Sequence, residues 1–310
     1  MNNNNKESFG KFDFVGKAGF FGGLSVVFVL VSLVYLLSNG INYGIDFAGG
    51  TEVQVKFQQS VSIDEVRKLA DEQGFRGASV QAFDNNEFIV RFQTIEGNTE
   101  KETNENQTMG VDKLRASITS TLGAANPEIR RVDSVGPQVG AELKRSGVLS
   151  MFYAMLVILI YIALRFDFKY SPGAVICLAH DAIIALAIFQ LSGREVNVPI
   201  LAAILTLLGY SLNDTIVVFD RIRETEDEYS SKGWKFIINK SINDMLSRTI
   251  ITNGSMLACS AALYLIAGGV ISDIAFALTV GIFFGTYSSI YVAAPCIILV
   301  EKLRLMRKAA

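Results

Sequence analysis

Residues 18–37 read AGFFGGLSVVFVLVSLVYLL, twenty positions without a charge, and a helix needs about 20 apolar residues to cross a bilayer. The stretch follows an Asn-rich start with Lys6, Lys11 and Lys17, as a signal peptide would. Its apolar length is too great for a signal h-region, and Ser38-Asn39-Gly40 is a poor cleavage site, so it reads as an uncleaved anchor. Working outward, five more apolar runs of spanning length follow at 147–165, 173–191, 199–219, 249–268 and 274–299. The pattern is that of a polytopic α-helical membrane protein with six transmembrane helices.

Composition agrees. Half of the 310 residues are hydrophobic and 19% are charged, with a mean hydropathy of +0.36, where a soluble domain carries about 25% charge. The deficit is uneven, because residues 40–145 hold 28 of the 58 charges. A soluble-looking insert therefore sits in a membrane-like chain, which excludes one water-soluble domain. The net charge of −2 offers no basic face for nucleic acid. Cys177, Cys259 and Cys296 all fall in apolar runs, so no disulfide framework is available and the redox compartment stays open. One histidine cannot build a multi-histidine metal site, and no metal or cofactor is expected.

Lys and Arg set the orientation. With the N-terminus inside, fifteen of them fall in inside segments, including Arg165, Lys169, Arg248 and Lys302, while the short outside loops hold only Arg194. The expected organisation is a cytoplasmic 1–17, a periplasmic domain at 38–146, a cytoplasmic connection at 220–248 and a cytoplasmic 300–310. The long insert translocates largely regardless of its charge.

Within the insert, Thr51–Phe57 alternates apolar and polar residues as a strand does. Ser62 and Glu65 have capping-box spacing, and Ile63, Val66, Leu69 and Ala70 form a helical stripe. Ala78–Phe83 and Glu87–Phe92 read as strands across a turn at Asp84-Asn85-Asn86. Residues 94–109 are polar and are expected to be mobile. A helix at Val111–Leu122 and a strand at Glu128–Val135 complete the order βαββαβ, that of the α+β ferredoxin-like unit. A polar helix over 136–147 then leads into the second span.

Ionisable residues inside a span cost about 2.5–3.5 kcal/mol each on insertion scales, so each needs a reason. The third span holds His180-Asp181 and the fourth Asn213-Asp214. The two aspartates lie about 12 and 9 Å in from the inside edge, at similar height. Arg248, at the edge of the fifth span, is followed by Thr249, Thr252, Asn253 and Ser255. A cation there is placed to hold a buried carboxylate ionised, and protonation would release the pair. Arg248 also fits as a positive-inside anchor, and Asp181 as polar glue between helices beside His180. Asp214 has no such packing reason. Asp220, Arg221, Arg223 and Glu224 read as a solvated helix end, and Gly281 and Gly285 as a close-packing step.

These blocks resemble the SecF family, the partner of SecD in bacterial protein export. The resemblance runs nearly end to end. It is carried by Ile45-Asp46-Phe47-Ala48-Gly49-Gly50-Thr51 and by Ala179-His180-Asp181. Further on it rests on Gly209-Tyr-Ser-Leu-Asn213-Asp214 with Asp220-Arg221-Ile-Arg-Glu224, on Arg248-Thr-Ile-Ile-Thr-Asn-Gly254 and on Ser288-Ser-Ile-Tyr-Val-Ala293. The Asp-Phe-x-Gly-Gly element is shared with SecD, whereas the Asp214 and Arg248 blocks are specific.

The resemblance implies a half-RND-type bundle that pairs pseudo-symmetrically with SecD in the cell inner membrane. It implies a translocase subunit, not an enzyme, that uses protons to move unfolded preprotein after SecA and the SecYEG channel, with YajC in the same supercomplex. Asp214, with Asn213 beside it, and Arg248 match the proton path. Asp181 joins them by its depth alone. Three other readings remain: a passive assembly factor, an intramembrane aspartyl protease and a free-standing small-molecule exporter. The lead-in Leu-Asn before Asp214 argues against the protease, and the lack of a second half argues against the exporter.

Overall fold

The computed structural model describes residues 9–72, 75, 78–84, 86–93, 100–166 and 169–309. Helix α1 (Phe14–Asn39) leads through a single-turn α2 (Ile45–Ala48) into an α/β domain. That domain comprises β1 (Gly50–Phe57), α3 (Ile63–Glu72), β2 (Ser79–Asp84), β3 (Glu87–Phe92), α4 (Glu100–Leu122) and β4 (Pro127–Val135). Helices α5 (Pro137–Arg165), α6 (Ser171–Leu191), α7 (Val198–Tyr229), α8 (Trp234–Ile266) and α9 (Gly269–Ser288) follow. A π turn over Ser289–Ala293 joins α9 to α10 (Ala294–Ala309). Among the described residues, six helices are long and apolar enough to cross a membrane.

The four strands form one antiparallel sheet in the order β2-β3-β1-β4, the strand order of a ferredoxin-like domain. Alternation places Val53, Val55, Phe57, Phe88, Val90 and Phe92 on one face, where they pack with Val66, Leu69, Leu114 and Ile118 of α3 and α4. The Ser62–Glu65 capping box closes as its spacing predicts. The Ser62 backbone N–H donates to Glu65 Oε2 at 2.8 Å, and the Glu65 N–H donates to Ser62 Oγ at 3.2 Å.

Helix α4 corrects one expectation, because it begins at Glu100 and the polar stretch 100–109 is helical. Glu, Lys and Gln are good helix formers, but ten residues without an apolar stripe give no periodic signal. Residues 94–99 of that stretch, and Asn85 of the expected turn, lie outside the described residues. Asn86 has φ +59°, the left-handed conformation a tight turn uses.

Gly49 lets the α/β domain meet the bundle, and Gly50 lets β1 close against β3. Gly49 has φ +73°, and a Cβ there would stand 2.9 Å from Pro137 Cα; Gly50 has φ +130°, and its Cβ would stand 2.9 Å from the Phe92 carbonyl oxygen. α2 thereby lies against the start of α5 with Phe47 buried.

In the bundle, α6, α7 and α9 make the centre, with Cys177, Leu178, Leu208, Val218 and Phe219 among the buried residues. α1 and α5 lie at the periphery with few buried residues. Segment 220–248 is helical almost throughout, since α7 runs to Tyr229 and α8 starts at Trp234. Hydropathy marks only the part of a helix that lipid would cover, so the polar extensions escape it.

Candidate functional site: two buried carboxylates at the α6–α7–α9 crossing

Asp181 is wholly buried on α6. Its Oδ2 accepts hydrogen bonds from Ser211 Oγ of α7 at 2.5 Å and Ser288 Oγ of α9 at 2.9 Å. Its Oδ1 stands 2.8 Å from His180 Nδ1. Cys177 Sγ, one turn back, donates to Ser288 Oγ at 3.0 Å. The backbone permits this crowding because α9 approaches through glycines. A Cβ on Gly285 would lie 3.2 Å from Ser211 Cβ and 3.5 Å from Asp181 Oδ2, and one on Gly281 would overlap Leu207. The π turn that follows puts Ser288 and Ser289 side by side in the buried interior, a distortion often found where a helix serves a site.

Asp214 lies on α7, 9% exposed. Its Oδ1 accepts from Thr249 Oγ1 of α8 at 3.3 Å, and Asn253 and Ser289 also lie against the carboxyl group. Its Oδ2 is buried and takes no hydrogen bond of regular geometry from the described residues. Thr215, the next residue, stands 3.2 Å from Ser289 and 3.7 Å from Cys177. A crevice too narrow to hold a water molecule runs between Ser211, Asp214, Asn253 and Gly285. Hydroxyl groups thus fill the space between the two carboxylates, with Ser211 bound to one and facing the crevice of the other.

The remaining sequence candidates are placed differently. Arg248 is exposed on α8, one residue before Thr249, and the structure forms no Asp214–Arg248 ion pair. Asn213 and Gly209 are exposed on the outer face of α7. Asp220 pairs with Arg165 at 3.3 Å and Arg221 with Asp244 at 2.5 Å, bracing helix ends away from the buried acids. Asp46 Oδ2 accepts the Val198 N–H at 2.9 Å at the start of α7. Ser211, Ser288, Ser289 and Thr215 escaped the sequence reading as partners of the acids. The glycine step at 281 and 285 is the one signal that pointed to α9 as the helix closing on them.

Set beside known proteins, residues 86–303 match the family described as protein export membrane protein SecD/SecF, C-terminal, and residues 34–61 match the SecD/SecF GG motif. The protein translocase subunit SecF of Calditerrivibrio nitroreducens is 39% identical over 299 residues, covering 94% of this chain and 95% of that one. The SecF of Vibrio alginolyticus is 41% identical over 271 residues, covering 87% and 84%. The crystal structure of SecDF from Thermus thermophilus, a translocon-associated membrane protein, superposes with a TM-score of 0.83 at 32% identity. That match covers 94% of this chain but 39% of the SecDF chain, so the present chain spans about two fifths of it. With the six-helix bundle, the ferredoxin-like insert and both motif regions in agreement, the chain belongs to the SecF family of protein translocase subunits.

Proposed function

We propose that this chain pairs with SecD in the bacterial inner membrane, both termini in the cytoplasm, and uses the proton-motive force to drive preprotein across after the SecA and SecYEG step. Asp214 carries the proton. The supporting observation is its environment: a carboxyl group inside a span, one oxygen held by Thr249 and the other buried without a regular hydrogen bond among the described residues. A buried charge left unpaired in this way is costly, and a proton on Oδ2 removes the charge without moving a helix. The hydroxyls of Thr249 and Ser289 accept or donate as the carboxyl group changes state.

SecD as a partner is supported by what α7 and α8 expose. Asn213, Arg248, Thr252 and Ser255 lie on the outside of the bundle, within or at the edge of the spans. Polar groups at that depth do not face lipid without cost, and a second half-bundle would cover them. Arg248 then acts across that interface, toward a charge on SecD, and not as a direct partner of Asp214. A channel and motor upstream of this pair, SecYEG and SecA with YajC, complete the reading.

Energetically, one proton crossing 100 mV releases about 2.3 kcal/mol, enough to shift a two-state equilibrium roughly fifty-fold. The test is Asp214→Asn at normal abundance. It should still co-purify with SecD while losing proton-driven export; loss of SecD binding alone would mark Asp214 as an assembly residue.

A further inference from the structure

The loop between α6 and α7, residues 192–197, touches every part of the molecule that would have to move together. On one side its Glu195 Oε1 lies 2.6 Å from Arg91 Nη1 on β3, and the Gly193 carbonyl accepts Gln81 Nε2 of β2 at 3.2 Å. Arg91 is 15% exposed and is fixed further by Glu52 at 2.6 Å and by Gln81 Oε1 at 2.9 Å. These residues lie on the sheet face opposite the α3–α4 core. On a second side, the connection from α1 straps the loop: Val196 N–H donates to the Asn42 carbonyl at 2.8 Å and Gly44 N–H to the Val196 carbonyl at 2.9 Å. Asp46, of the Asp-Phe-Ala-Gly-Gly element, binds the first N–H of α7. On a third side, Arg194 pairs with Asp273 of α9.

Elsewhere the sheet stands off the bundle across an open cleft of about 610 Å³, lined by Gln54, Arg131, Ser192 and Val270 among others. The α/β domain is therefore not docked over a broad apolar surface. It is held near one buried ion pair, and a buried pair gives orientation more than stability. Val198 begins the helix that carries Asp214 sixteen residues later, about 24 Å along its axis.

We infer that the α6–α7 loop is the joint through which a change at Asp214 reaches the α/β domain, with Glu195 and Asp46 as its positioning residues. Glu195 grips the sheet through Arg91, while Asp46 and the 42–46 strap fix the loop to the start of α7. A displacement of α7 then carries the domain with it instead of sliding past. This rests on the proton-coupling reading of Asp214 and adds the path by which force leaves the bundle.

The test uses the full chain in complex with SecD, with cysteines at positions 81 and 192, which face the same cleft, and a membrane-impermeant, reducible thiol cross-linker. The cysteine pair with Glu195 intact defines the baseline. Glu195→Ala is expected to lose most of the proton-driven stage of export, Glu195→Gln, which still accepts from Arg91, to keep it, and the cross-link to restore it to Glu195→Ala until the linker is reduced. Full export by Glu195→Ala, or a loss that the cross-link fails to restore, would overturn the joint. The linker cannot restore Asp214→Asn under this scheme, and Asp214→Asn with normal export would remove the underlying reading while leaving the docking itself measurable by cross-linking yield.

Discussion

Ser211 donates to Asp181 at 2.5 Å while lining the crevice that Asp214 faces. One hydroxyl of α7 thus joins the two acids of the bundle. Ser211, Ser288, His180 and Cys177 all meet the Asp181 carboxyl group, which has no exposure, so it reads as the fixed member of the pair, whereas one Asp214 oxygen takes no regular hydrogen bond among the described residues.

Removing the shared hydroxyl tests that division. Ser211→Ala leaves Asp181 one donor short in a buried site, a loss of about 1–3 kcal/mol. Thermal unfolding of the detergent-solubilised chain should fall accordingly, and Asp181→Leu should fall further, stranding Ser211, Ser288 and His180 together. Equal stability of Ser211→Ala and the parent would show that the bond is not formed.

The paired glycines are predicted to be structural. A side chain at Gly50 has to adopt φ +130° and meet the Phe92 carbonyl, a strain of about 1–3 kcal/mol. Gly50→Val should lower the unfolding temperature and increase protease cleavage in the α/β domain while leaving the helical content of the spans unchanged by circular dichroism.

Ser62→Ala opens the capping box of α3. The expected cost is about 1 kcal/mol, visible as faster amide exchange in the first turn of that helix and not in the sheet. Uniform exchange across the domain would contradict a local cap.

A pH dependence follows from Glu195. Burial pushes its carboxyl group above the ordinary range, against the pull of Arg91, and Glu52 pushes it further the same way. Arg131 on β4, Arg194 beside it and Asp273 on α9 line the same cleft. A group raised in the docked state binds its proton more readily there. The proton-linked part of docking is therefore present below about pH 4.3, the ordinary glutamate value, and is lost as pH rises through the raised one. Spin labels at positions 131 and 270 should report a narrower distance distribution at the acid end, and Glu195→Gln should abolish the change.

Much of this fold is legible in the chain. Apolar length marks six helices, and the alternation at 51–57 with the Ser62–Glu65 spacing marks the βα start of the insert, because both are local properties. The start of α4 at Glu100 is not legible, since its first ten residues carry helix propensity without an apolar stripe. The site is half legible. A carboxylate in a span announces itself, and Asp181 and Asp214 do so. Their partners do not, because Ser211 and Ser288 lie 30 and 107 residues from Asp181 and meet it only through packing. Proximity of Arg248 to the span edge suggests a direct pair with Asp214, but the side chain is exposed and Thr249, one position on, takes that place. On a helix, neighbouring residues point about 100° apart, so one position decides which faces the acid.

Proton coupling at Asp214 is tested most directly by following preprotein translocation in vesicles holding SecYEG, SecA, SecD and this chain, before and after collapse of the proton-motive force. The parent chain should lose its late-stage acceleration when the gradient collapses, and Asp214→Asn should run at that slow rate with or without a gradient. An Asp214→Asn chain that keeps the full gradient-dependent acceleration would contradict it.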